Sequence, residues 1–199
     1  MNRFANGLVV AVVVGAVLLA GCTAQGGPAP SPASSAPVES PEPSASATPS
    51  LTAEEQLLAQ IPDAAKGDDL LAAVEMAEFY LLLQPELYRG GDSALWEFLA
   101  LPECEFCSST VTSTQQRVAD GHLQVGGEYA VPDQVEDSVL DLETDDTTTA
   151  LVGFEFTEEP YQIVAEDGTI IKSGDSGSYR AAFALRYVDG LWRVYEASV

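Results

Sequence analysis

Positive charge is scarce in this chain: eight Lys and Arg stand against 31 Asp and Glu, for a formal net charge of −23. So acidic a surface repels phosphate backbones and gains nothing from counterion release, which excludes nucleic acid as an expected partner. It also repels anionic lipid headgroups, so the folded part is expected to stand off a bilayer. Histidine occurs once, at His122, and cysteine three times, at Cys22, Cys104 and Cys107. With no second cysteine pair and only scattered carboxylates besides His122, no metal site is expected, and nothing in the sequence calls for a cofactor. Long apolar runs are lacking too. The one extended run, Leu8 to Ala20, is thirteen residues, whereas a spanning helix needs roughly 20.

What is present begins with that run. Arg3 precedes it and Leu19-Ala20-Gly21-Cys22 follows it. A basic residue, a short apolar stretch and small residues before a cut are the parts of a secretory signal peptide. The last four residues resemble the lipobox of bacterial lipoproteins, in which the cysteine thiol takes a diacylglyceryl group and the bond before it is cut. The resemblance implies a signal peptide over 1–21 and a mature chain that starts at a lipidated Cys22. One acyl chain holds a protein only marginally, and two hold it stably. The expected location is therefore the extracytoplasmic face of the cell membrane, with the bilayer as partner through the lipid on Cys22.

Residues 22–50 read as a tether. Gly26 to Ser50 holds seven Pro and seven Ser, and Val38 alone could join a core. Such a segment buries too little apolar surface to offset the entropy of ordering it. As a flexible coil it would reach roughly 30 Å. The remaining 149 residues, 51–199, suit one domain, with its core expected at about 61–199.

The first half of that domain has helical spacing. Thr52-Ala53-Glu54-Glu55 has the form of a capping box, and Pro62 should stop the short helix it opens. Asp68 or Asp69 should cap a longer helix, with Leu70, Val74, Ala77 and Leu81 inward, that Pro85 kinks or ends near 81–84. Gly90-Gly91 closes it. Asp92 or Ser93 should cap a short helix with Leu95, Trp96, Phe98 and Leu99. Another long helix runs from about Glu103 to Asp120, with Gly121 past its end and Cys104, Cys107, Val111, Thr114 and Val118 inward. The second half alternates with period two. Leu123, Val125, Tyr129 and Val131 do so across Gly126-Gly127, a predicted bulge. Ala150, Val152, Phe154 and Phe156 follow, then Tyr179, Ala181, Phe183, Leu185 and Tyr187, then Trp192 and Val194. Asp167-Gly168 and Asp189-Gly190 read as hairpin turns. Helices followed by hairpins predict an α+β domain, three helices packed on an antiparallel sheet.

Several residues invite chemistry. Two close thiols outside the cytoplasm should oxidise to a Cys104–Cys107 disulfide. Helical residues three apart have β-carbons about 5–6 Å apart, and a disulfide wants about 3.8 Å. The bridge therefore needs Cys104 at or just before the helix start. Its closed loop is small, so it should stabilise by roughly 2 kcal/mol. A redox role is the alternative, but Glu105 between the cysteines would raise a thiol pKa. His122 follows a helix end, where an imidazole commonly meets the helix dipole. The acids from Asp133 to Asp146 fail as a calcium loop. With Asp141 at position 1, Asp146 falls where Gly is required and Val152 where Glu belongs. Tyr80, Tyr129, Tyr161, Tyr179, Phe183, Tyr187 and Trp192 are either core or the lining of a pocket. No catalytic residue is assigned.

One combination of motifs resembles a known family. These are Arg89-Gly90-Gly91-Asp92, Trp96 and Leu99, Pro102-Glu103-Cys104-Glu105-Phe106-Cys107, Asp120-Gly121 and Gly190-Leu191-Trp192-Arg193-Val194. Over about 61–199 the chain resembles a family of lipoproteins of unknown function from high-GC Gram-positive bacteria. The resemblance implies a domain similar to the nuclear transport factor 2 fold, a cone of three helices against a curved sheet. Three functions are then in view. The first is a non-enzymatic domain that binds a protein or envelope component by its concave sheet face. The second is a carrier or sensor of a small apolar ligand in the cone. The third is an isomerase or dehydratase, which would need a cavity acid or base with a shifted pKa.

Overall fold

In a computed structural model, residues 51–132, 137–142 and 148–199 are described. The signal peptide, Cys22, the tether and most of the acidic stretch from Asp133 to Asp146 lie outside them.

Capping chemistry sets the helix starts. Thr52 accepts from the Glu55 amide while the Glu55 carboxylate accepts from the Thr52 amide, opening α1 (Ala53–Leu58). A 3₁₀ turn over Asp63–Lys66 follows Pro62. Asp69 accepts from the Ala72 amide at 2.9 Å and opens α2 (Leu70–Tyr88). Of the two outcomes expected at Pro85, a kink or an end, the helix does not end: α2 runs on through it. A proline removes one donor, and here the helix has only one more turn to make before Arg89 and Gly90 close it through bonds to Glu86 and Leu87. Asp92, not Ser93, supplies the side-chain acceptor at the start of α3 (Ala94–Leu99), taking the Ala94 amide. In α4 (Glu105–Ala119) the capping position is Cys104 itself.

Eight strands follow among the described residues, all paired antiparallel: β1 (His122–Gly126), β2 (Tyr129–Ala130), β3 (Asp137–Leu142), β4 (Thr148–Glu158), β5 (Tyr161–Ala165), β6 (Ile170–Gly174), β7 (Gly177–Val188) and β8 (Leu191–Ser198). β4, β7 and β8 run side by side, with β2 and β3 end to end on the free edge of β4. β1, β5 and β6 form a second sheet. The two sheets are continuations of the same chain runs, broken at one level by Gly126-Gly127, Glu159-Pro160 and Asp175-Ser176. Hydrogen bonds from Gly127 to Pro160 and from Glu159 to Glu128 hold that break together. Both expected hairpin turns form, with positive φ at Gly168, Asp189 and Gly190.

The double glycine also overturns the face assignment of β1. Leu123 and Val125 point outward, 45% and 58% exposed, and Gln124 is buried. After the break Tyr129 and Val131 pack against the core as expected. Gly126 and Gly127 both have positive φ and act as an inserted residue, so odd positions face out before them and in after them.

The core lies between α2 and the β4–β7–β8 face. Tyr80 of α2 stacks on Trp96 at 4.1 Å and meets Phe183 edge-on, and Phe154 and Phe183 continue the layer. Tyr80, Phe183 and Trp192 are thus core residues. Val118 is 37% exposed, so the inner face of α4 ends at Thr114. The expected Cys104–Cys107 pair is in disulfide geometry with α-carbons 5.2 Å apart, both side chains buried. Cys104 stands just before the helix because only a non-helical residue brings the two sulfurs together.

Candidate functional site

The inner face of the sheet is not covered along its whole length. The helices cover it up to Phe156, and beyond that a cavity of about 450 Å³ opens at the level of the strand break. Its walls are built from every layer. α2 contributes Gln84 and Tyr88 from its last turns, and α4 contributes Ser113 and Arg117. The sheet brings Gln124 from β1, Tyr129 from β2, Phe156 and Glu158 from β4, Tyr161 from β5, Lys172 from β6 and Tyr179 from β7. Glu158 reaches the cavity because it continues the inward series Ala150, Val152, Phe154, Phe156 to the end of β4.

Three glycines keep the walls thin. A β-carbon at Gly127 would sit 2.7 Å from the Gln124 amide nitrogen. One at Gly177 would sit 2.8 Å from the Tyr179 ring, and one at Gly174 would overlap the ring of Tyr161. Each glycine lets a large polar or aromatic side chain lie across the sheet. Arg89 fastens the rim, bridging Glu86 at 3.1 Å and Glu128 at 2.5 Å, and holds the Glu128 carboxyl below its usual range through that hydrogen bond.

Inside, Gln84 donates from Nε2 to the Tyr88 hydroxyl at 2.5 Å, and Arg117 donates to the Tyr88 carbonyl. The Arg117 guanidinium also lies 5.5 Å from the Tyr88 ring centre, and Lys172 Nζ lies 5.7 Å from that of Tyr161. Burial raises the Tyr88 and Tyr129 hydroxyls above the usual phenol range. It also raises the Glu158 carboxyl, against the pull of Lys172, and lowers the Arg117 guanidinium. Three buried polar atoms on these walls have no protein partner: Gln84 Oε1, Gln124 Nε2 and Arg117 Nε. A buried group left unpaired costs about 1–3 kcal/mol.

Of the aromatic residues read as either core or pocket lining, Tyr129, Tyr161 and Tyr179 line the cavity. Tyr187 packs instead against Trp192, with ring centres 5.3 Å apart. His122 opens β1 half-buried and is not on the cavity wall. Among the described residues no group of His, Cys, Asp and Glu could hold a metal, and no helix is long and apolar enough to cross a membrane. Gln84, Tyr88, Arg117, Gln124, Glu158 and Lys172 were not singled out by the sequence. The available signal was Gln84 on an apolar helix face and Gln124 between two apolar residues.

No protein-family model and no curated protein sequence matches the chain. Among solved structures, it is similar to the intermembrane space region of the chloroplast protein ARC6. Identity is 12% and the TM-score 0.46, over 69% of this chain and 96% of that one. It is also similar to a periplasmic fragment of TraM, at 11% identity and TM-score 0.40, over 66% and 96% of the two chains. A third is Aln2 from a Streptomyces species, at 9% identity and TM-score 0.33, over 60% and 83%. These likenesses lend the chain no activity, ligand or partner.

Proposed function

We propose that this protein is a lipid-tethered extracytoplasmic binding domain, shaped as a nuclear transport factor 2-like cone, that takes a small molecule into the cavity between α2, α4 and the strand break. The observation that carries this reading is one space of about 450 Å³ between the helices and the sheet, whose walls bring together Arg117, Glu158, Lys172 and the rings of Tyr129, Tyr161 and Tyr179. A volume of this order is that of a ligand pocket. The ligand differs from the small apolar one of the carrier reading, which stood second to protein binding, because the walls carry Arg117, Glu158 and Lys172. Capture of a protein by the inner sheet face is less favoured, since α2 already packs there. The outer face carries a groove of about 360 Å³ along Leu151, Gly153, Ala182 and Ala184. The tether on Cys22 would hold the cavity a few nanometres from the membrane.

The test uses the mature chain and two naphthalene dyes, the anion 8-anilinonaphthalene-1-sulfonate and its neutral relative N-phenyl-1-naphthylamine. At least one should bind saturably at one per chain, and Ser113→Trp, on the exposed rim of α4, should abolish it. Gln124→Leu should weaken the dye while leaving the fold as stable or more so, because it removes an unpaired amide. Absence of saturable binding, or binding that ignores both variants, overturns the reading. Detergent phase partition of wild type against Cys22→Ser tests the anchor.

A further inference from the structure

We infer that the cavity selects a ring-bearing organic anion, whose carboxylate, sulfonate or phosphate meets Arg117 and Lys172 while its ring lies against the tyrosines. This rests on the cavity being the binding site. The chain has eight cationic side chains against 31 acids, yet two of the eight stand on this one wall. Among the described residues, Glu158 is the single acidic side chain lining the cavity beside them. An anion that crosses the repulsive outer field therefore ends beside two cationic side chains, with Glu158 and the terminal Val199 as the groups on the wall that oppose it. Two cations on one wall favour a charged ligand over a merely apolar one.

Both cations lie near Tyr161. Arg117 spends one terminal nitrogen on the Tyr88 carbonyl, and its side chain lines the cavity. Lys172 forms no ion pair with Glu158 within 4 Å, although Glu158 is its neighbour in charge. Burial favours the neutral form of Glu158, which lowers the competition for an incoming anion. Flat faces are supplied by Tyr161 and Tyr179, each seated over a glycine. Aromatic contacts of this kind orient a planar group.

The two dyes separate the claims. The anionic dye should bind about tenfold or more tightly than the neutral one, as charge-assisted hydrogen bonds are worth. Arg117→Gln should weaken the anion about tenfold and leave the neutral dye unchanged. Arg117 also holds α2 to α4, so Lys172→Glu, at an exposed position of β6, guards against loss of fold. It should weaken the anion by about threefold or more, an effect that added salt masks. If both dyes bind equally, or if neither substitution moves the anion, the anion reading is overturned and the cavity reading stands. If neither dye saturates, both fall.

Discussion

Tyr161 of β5 stands directly across from Gly174 of β6, and its ring covers that glycine so closely that a β-carbon there would lie 2.7 Å from its Cζ. Gly174→Ala must displace the ring. Overpacking of this kind typically costs about 1–3 kcal/mol. In a Tyr161→Ala background the clash is gone and the same substitution should cost little. Chemical denaturation of the four proteins measures the coupling, and additive losses would show that the ring and the glycine are independent.

Tyr80 is fully buried, stacked on Trp96, and its hydroxyl has no partner. Burial pushes that hydroxyl far above the usual phenol range, so it stays neutral. Removing the oxygen alone removes an unpaired group, so Tyr80→Phe is expected to be neutral or stabilising. Removing the ring is another matter. Tyr80→Ala should cost about 3–5 kcal/mol, as large aromatic truncations do. A Phe variant that unfolds more readily than wild type would mean that the hydroxyl has a partner in solution.

The Cys104–Cys107 pair is 1% and 2% exposed, and its backbone is fixed by the Cys107 amide on Cys104 and by the Trp96 indole on the Cys107 carbonyl. Attack on a disulfide needs access to one sulfur. Reductant should therefore leave the bridge intact in the native protein and open it in urea, as followed by alkylation and mass spectrometry. Replacing both residues by Ser should cost roughly 2 kcal/mol, the small value expected of a short loop. Rapid native reduction would instead support a redox role.

Local signals explain how much of this was legible. Capping at Thr52 and Asp69, the Asp-Gly hairpins and the alternation of β4 and β7 each depend on a few neighbouring residues, and each forms as read. The cavity depends on residues brought together from α2, α4 and six strands, and no spacing rule links them. β1 shows the limit most clearly. Leu123 and Val125 look inward by hydropathy, yet their neighbour Gln124 faces the cavity because two consecutive positive-φ glycines reverse the strand. Gly174 and Gly177 carried a further signal. Glycine inside a strand marks a close approach, and here the approaching groups are the rings of the site.

Glu158 gives the site a pH signature. Its carboxyl is raised above the ordinary 4.5, first by burial and against Lys172. The folded state therefore holds the Glu158 proton more tightly than the unfolded chain does. The contribution to stability is fully present below about pH 4.5 and is lost as the pH rises through the folded value. Glu158→Gln cannot ionise, so it should be more stable than wild type near neutral pH, with the gap closing as the pH falls to about 4.5. Urea titrations at several pH values measure that gap. A gap of the same size at every pH would assign it to packing rather than to ionisation. The same group opposes an anionic ligand only when charged. Wild type should thus bind the naphthalene sulfonate more tightly as the pH drops through the Glu158 transition, and Glu158→Gln should bind it tightly throughout. A stability gap that follows pH beside dye affinities that do not would place the anion away from Glu158.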